Sequence, residues 1–188
     1  QREGWFIDNV TWHNTGDEPG AWFHGNLTGD YAPNADGTLI MPIDFSGLSN
    51  PIELEVRSNW DIEGGNNDGM TIWYSMDQGV TWTLLTPLPG LPGFGVIYQG
   101  VRYSDVSFDW LPMFYPVPAT AHNHTNASSA LLKFNVQTDA IVNHGGGAPA
   151  NGWEGIMIDN MQLHSGANTP NHVVRVLNNF TTQPTYQN

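Results

Sequence analysis

Gly69-Met70-Thr71-Ile72-Trp73-Tyr74-Ser75, followed by Met76-Asp77-Gln78-Gly79 and then Val80-Thr81-Trp82-Thr83-Leu84-Leu85, is the stretch on which the fold turns. Both arms are rich in β-branched and aromatic residues, and the Asp-Gln-Gly between them is turn chemistry, so the segment predicts a β-hairpin. Working outward, Ile52-Glu53-Leu54-Glu55-Val56-Arg57-Ser58 alternates apolar and polar, the pattern of a half-buried antiparallel strand with Glu53 and Glu55 facing solvent. Thr38–Phe45 alternates after a predicted Asp36-Gly37 turn, and Leu131–Thr138 and residues 155–163 supply two more strands. Residues 86–120 carry Pro87, Pro89, Pro92, Pro112, Pro116 and Pro118 and read as long connections around a strand at 94–103. No segment has helical periodicity. The expectation is an all-β protein, an antiparallel jelly-roll β-sandwich with N- and C-terminal flanking strands.

The 188 residues hold 39% hydrophobic side chains, enough for one sizeable core. A net charge of −13 repels phosphate backbones and argues against nucleic acid as a partner, leaving cations as the natural counter-charge. Cysteine is absent, which removes thiol chemistry and disulfides. No run of about 20 apolar residues is present to span a membrane. Asn9, Asn26, Asn123, Asn126 and Asn179 each stand in an Asn-x-Ser/Thr sequon, which points to a glycosylated extracellular or cell-surface protein.

One segment occurs twice. Gly4-Trp5-Phe6-Ile7-Asp8-Asn9-Val10-Thr11-Trp12-His13 returns as Gly152-Trp153-Glu154-Gly155-Ile156-Met157-Ile158-Asp159-Asn160-Met161-Gln162-Leu163-His164, and aligning the two on Ile-Asp-Asn gives an offset of 159 − 8 = 151 residues between the aspartates. Asn26-Leu27-Thr28 and Asn179-Phe180-Thr181 echo it at 179 − 26 = 153. A period of that length suits whole domains in tandem. It divides the chain into 1–16, the closing strand of a preceding repeat or a donated strand; 17–166, the sandwich module; and 167–188, the start of a following repeat or an extended tail. The expected partners are therefore copies of the chain itself or neighbouring modules.

Ser75-Met76-Asp77-Gln78-Gly79-Val80-Thr81-Trp82 fits S-x-D-x-G-x-T-W and resembles the Asp-box of sialidases and many secreted β modules. Asp77, Gly79 and Trp82 are assigned structural roles: a carboxylate accepting from turn N–H groups, a positive φ, and a ring packed across the hairpin. Together with Trp60-Asp61-Ile62-Glu63, Asn67-Asp68-Gly69, Thr138-Asp139 and Gly152-Trp153-Glu154-Gly155, the chain over about residues 20–165 resembles the jelly-roll accessory domains of immune inhibitor A-type secreted metallopeptidases, akin to MAM-type sandwiches. That resemblance implies a non-catalytic module carrying one structural Ca²⁺. The candidate ligands are Asp61, Glu63 and Asp68, hard oxygen donors close in sequence, joined by Asp159 and, less well placed, Glu154. The zinc-binding His-Glu-x-x-His of such peptidases does not occur, and neither does a nucleophile elbow, a phosphate loop or a dinucleotide fingerprint. His122-Asn123-His124 offers two nitrogens at i, i+2 without a third ligand. Trp110, Phe114 and Tyr115 in the Pro-rich stretch are the candidates for an exposed platform binding cell-surface glycans. The function expected is structure, adhesion or assembly without catalysis, as one unit of a tandem-repeat surface protein or a filament subunit joined by strand addition. A carbohydrate-binding or accessory module of a secreted peptidase is the alternative.

Overall fold

The computed structural model describes residues 5–8, 21–26, 31–62, 68–86, 97–98, 102–103, 110–140, 154–166 and 173–176. They form two six-stranded sheets packed face to face. The strands are β1 (Trp5–Asp8), β2 (Ala21–Asn26), β3 (Asp36–Ile43), β4 (Ile52–Asp61), β5 (Gly69–Ser75), β6 (Thr83–Leu84), β7 (Ile97–Tyr98), β8 (Arg102–Tyr103), β9 (Leu111–Pro116), β10 (Ala130–Gln137), β11 (Glu154–Ser165) and β12 (Val173–Val176), with a turn of α-helix, α1 (Ala119–His122), and a 3-10 turn (Ala127–Ser129) between β9 and β10. The first sheet runs β1-β2-β11-β4-β9, with β12 also on β11; the second runs β3-β10-β5-β8-β7, with β6 on β5. Every pairing is antiparallel. The all-β sandwich expected from the hairpin and the alternating strands is what the chain forms.

The core lies between the sheets. Leu54, Val56 and Trp60 of β4, Ile156, Ile158 and Leu163 of β11, and Trp22 of β2 meet Leu39 of β3, Ile72 of β5 and Leu132, Phe134 and Val136 of β10, all 0–2% exposed. Burying each of these large side chains stabilises the fold by roughly 1.5–3 kcal/mol before chain entropy is subtracted. Period-two alternation places these residues, as the sequence of β4 and β10 predicts.

The first sheet is also covered on its outer face. Phe23 and Met157 are fully buried there against Trp110, and Glu55, Asp159 and His164 are buried on the same side. This corrects the reading of Glu55 as solvent-facing: it is 8% exposed, with an oxygen 2.7 Å from His164 Nε2 and the other 3.7 Å from Arg57 Nε. Alternation predicts which face a residue takes, not whether that face is wet.

Two other boundaries move. Asp36 and Gly37 open β3, and the bend falls earlier, at Asn34 (φ 54°). Residues 111–116, expected to be a connection, form β9; it pairs only with β4 among the described residues, an edge position where Pro112 and Pro116 cost no ladder bond. The flanks expected outside the module, 1–16 and 167–188, each place a described strand in the first sheet, β1 beside β2 and β12 beside β11.

Candidate functional site

The hairpin that opens the sequence reading forms as β5 and β6, with Trp73 opposite Leu84 and Tyr74 opposite Thr83. Its turn is held by two side chains. Ser75 Oγ donates to Asp77 Oδ1 at 2.8 Å and accepts from Gly79 N–H at 2.8 Å, while Asp77 accepts from Thr81 N–H at 2.8 Å and from Thr81 Oγ1 at 2.6 Å. The hydrogen bonds from Thr81 hold the Asp77 carboxyl down at about 2. Gly79 sits at φ 88°, and a Cβ there would lie 3.3 Å from Trp82, so turn and ring are fitted to each other. The turn is anchored to the body by Gln78 Nε2 donating to Ser129 O at 2.6 Å and Asn126 Nδ2 donating to Met76 O at 2.9 Å. Asp77, Gly79 and Trp82 are all engaged inside this turn.

On the outer face of the second sheet Lys133 lies between two indoles, its Nζ 5.1 Å from the Trp73 ring centre and 4.5 Å from that of Trp82. Burial lowers the Lys133 pKa, with the nearby Asp36 carboxylate opposing the shift. Trp73 Nε1 donates to Thr71 Oγ1 at 2.8 Å, and Asn135 Nδ2 donates to Asp36 Oδ1 at 2.7 Å. Trp73 therefore belongs to a half-exposed polar and aromatic face and not to the core, although a tryptophan on a sandwich strand suggests core packing. The signal was available: Trp73 is one residue from the buried Ile72 and so on the other side of its strand.

The glycan platform drawn from Trp110, Phe114 and Tyr115 does not assemble. Phe114 and Tyr115 are consecutive on β9 and project to opposite faces. Tyr115 is 2% exposed in the core, Phe114 lies 6.1 Å from the His164 ring, and Trp110 packs on Phe23 and Met157.

The carboxylates expected to hold calcium are divided. Asp61 stands opposite Gly155 on β11, whereas Asp159 is four residues further along that strand, opposite Arg57, which separates the two positions by roughly 13 Å. One ion with oxygens at about 2.3–2.6 Å cannot hold both. Asp68 is fully buried and accepts from the Tyr31 hydroxyl and, at 2.6 Å, from Asp139 N–H; Asp159 Oδ1 accepts from Asn160 N–H at 2.7 Å. Glu63 lies outside the described residues, and only the backbone of Glu154 is described. Among the described residues no three His, Asp or Glu side chains gather where they could share a metal ion.

Of the sequons, Asn123 and Asn126 are exposed around the end of α1, Asn26 lies in β2, and Asn9 and Asn179 fall outside the described residues. Sequence reasoning did not find the buried Glu55–His164 contact or the buried His24. The only hint for the first was His164 repeating His13 at the common offset; for His24 there was none. No helix among the described residues is long and apolar enough to cross a membrane.

The duplicated segment gives the clearest geometric result. β2 lies between its two copies, β1 on one edge and β11 on the other, both antiparallel to it. Trp5 and Ile156 both face His24, Phe6 and Met157 both face Phe23, and Ile7 and Ile158 both face Trp22.

No family model and no curated protein matches this chain. Among solved structures, a cleaved adhesin domain of Lys-gingipain from Porphyromonas gingivalis aligns over 88% of this chain and 85% of its own length, at a TM-score of 0.47 and 12% sequence identity. A likeness that distant carries no argument about what the present chain binds.

Proposed function

We propose that this chain is a non-catalytic extracellular β-sandwich module that builds structure or adhesion by associating with further copies of itself, in a tandem array or a filament. The observation that supports this reading is the repeated strand on both edges of β2, which ties the ends of the chain into sheet pairing. The polar side chains that drew attention in the sequence fit the same reading. Asp68, Asp77 and Asp159 are each committed to hydrogen bonds that hold strands and turns. Light scattering across a concentration series, with electron microscopy of the same samples, tests the proposal. Particle mass should rise with concentration and elongated assemblies should be visible; a strict monomer from micromolar to millimolar, encoded by a gene with no neighbouring copy of the repeat, would sink it.

A carbohydrate-binding reading is favoured by one observation, the half-exposed Trp73 and Trp82 beside Lys133, Thr71 and Asn135. An indole face offers apolar area to a sugar ring while the flanking Lys133 ammonium and Asn135 amide offer polar contacts to its hydroxyls. If a glycan binds here, Trp82→Ala weakens it at least tenfold in a glycan array or titration calorimetry. Equal binding by both proteins removes this face as the site.

Calcium is a separate proposal, narrowed to Asp61 and Asp68, two fully buried carboxylates at either end of the segment that carries Glu63. Asp68 already accepts hydrogen bonds from Tyr31 and from the Asp139 backbone, so a bound cation would add to those contacts and not replace them. Calcium at 100 times its dissociation constant would add about 2.7 kcal/mol and raise the melting temperature by roughly 5–11 °C. A melt identical in calcium and in chelator rejects it.

A further inference from the structure

The copies of the duplicated segment hold their places in the first sheet very differently. β11 is paired along its length with β4 on one edge, and with β2 and β12 end to end on the other. Removing it would dismantle the sheet. β1 is a four-residue strand at the end of the sheet order, paired with β2 alone among the described residues. Its register is nonetheless the register of β11. The three pairs that face common β2 residues, Trp5 with Ile156, Phe6 with Met157 and Ile7 with Ile158, are each 151 residues apart, the offset found by aligning the sequence without reference to strands. A slip of two residues either way would have kept the same side chains on the same face, so alternation alone does not dictate the match.

We infer that β1 is an exchangeable closing strand, so that the segment around Trp5–Asp8 of one copy adds to the β2 edge of a second copy in the register it holds on its own. The inference rests on the assembly reading above and specifies its contact. The β2 edge recognises the main chain of an extended segment, and the repeated sequence sets which residues lie opposite His24, Phe23 and Trp22. Residues 9–20 link β1 to β2 and, fully extended, reach at most roughly 40 Å, enough to cross to an adjoining molecule. The strand makes the same pairing in either place, so the balance between own and neighbouring edges is set by concentration and linker geometry. Each copy donates one strand and accepts one, a head-to-tail contact that closes into a ring or continues as a filament.

The chain has no cysteine, so introduced thiols report only on themselves. Asp8 and Ala21 are register partners. Full-length Asp8→Cys and Ala21→Cys copies, mixed at assembling concentration and oxidised, should yield a disulfide-linked heterodimer at least tenfold above either protein alone. A disulfide that forms only when both cysteines are in one chain, and only as monomer, overturns the exchange. A second measurement does not depend on those variants: energy transfer between donor- and acceptor-labelled Val80→Cys copies, the label being at an 81% exposed site away from β1. Transfer should fall at least tenfold in the double variant Phe6→Pro with Ile7→Pro, because consecutive N–H groups of a strand point to opposite edges and one of the two lost must face β2. Transfer that survives the double substitution overturns strand exchange while leaving assembly in place through another surface. No transfer even without that substitution overturns the assembly reading and the exchange with it.

Discussion

Gly155→Ala is expected to cost about 3–5 kcal/mol, enough to leave the chain largely unfolded if its stability is ordinary for a domain of this size. Gly155 lies at φ 140° on β11, directly opposite Gly25 of β2, itself at φ 152°. A Cβ built at Gly155 falls far inside contact distance of the His24 carbonyl oxygen, and lies 2.7 Å from Gly25 Cα and 2.8 Å from Phe23 Cε2. The first two obstacles are backbone of a paired strand, and Phe23 is fully buried, so none can swing aside. Strained backbone costs of order 1–3 kcal/mol, and overpacking a tight site typically adds another 1–3. Gly79→Ala is the matched control. It has a comparable φ of 88°, but its Cβ would meet only side-chain atoms, at 3.3 Å and beyond, so the loss should stay nearer 1–2 kcal/mol. Urea unfolding followed by tryptophan fluorescence measures both. Equal effects from the two substitutions would show that φ alone, and not the close approach of β2 and β11, makes Gly155 necessary.

How far the fold could be read depended on which face of each strand is dry. The second sheet was legible for two reasons: β10 has one face on the core and one half-exposed, so its alternation carries the signal, and β5, buried at every residue but Trp73, was marked by the turn that follows it. The first sheet hides it. Trp22 and Phe23 are adjacent on β2 and both fully buried, one between the sheets and one on the covered outer face. Ala21–Asn26 therefore shows no period and was not recognised as a strand. Prolines concealed β9 for a related reason: they argue against a strand only where both edges are paired. Among candidate sites the hairpin turn was readable because its hydrogen bonds are local, within Ser75–Thr81. The carboxylates were not, because their partners are remote in sequence: Asp68 is met by Tyr31 and by the backbone of Asp139. Nothing near Asp68 in the chain announces either one.

Stability is expected to fall in two steps on acidification, and the larger belongs to His24. Its ring lies two residues beyond Trp22 on the same face of β2 and reaches across to β3, where a Cβ at Gly37 would collide with it; Gly37 is needed to make room for the imidazole, not to turn the chain. Burial lowers its pKa from 6.5 to about 4. The folded protein therefore keeps His24 neutral where the unfolded chain takes up a proton. The stability associated with the neutral ring is complete above pH 6.5, declines as the pH falls towards 4, and amounts to about 3 kcal/mol from the size of the shift. For a chain of this length that corresponds to roughly 6–12 °C in melting temperature. Asp77 acts lower. Its folded pKa of about 2, against 3.8 for the free side chain, means its contribution is present above 3.8 and is lost as pH falls to about 2. Melting curves from pH 7.5 to 2 separate the two, with His24→Asn flattening the first step and Asp77→Asn the second. A His24 ring that titrates near 6.5 by nuclear magnetic resonance in the folded protein, or an unchanged slope between pH 6.5 and 4 in His24→Asn, would refute the assignment. The position of His24 also links this step to β1: it is the β2 residue that both Trp5 and Ile156 face, so acid that loosens β2 acts on the edge where strand exchange is proposed.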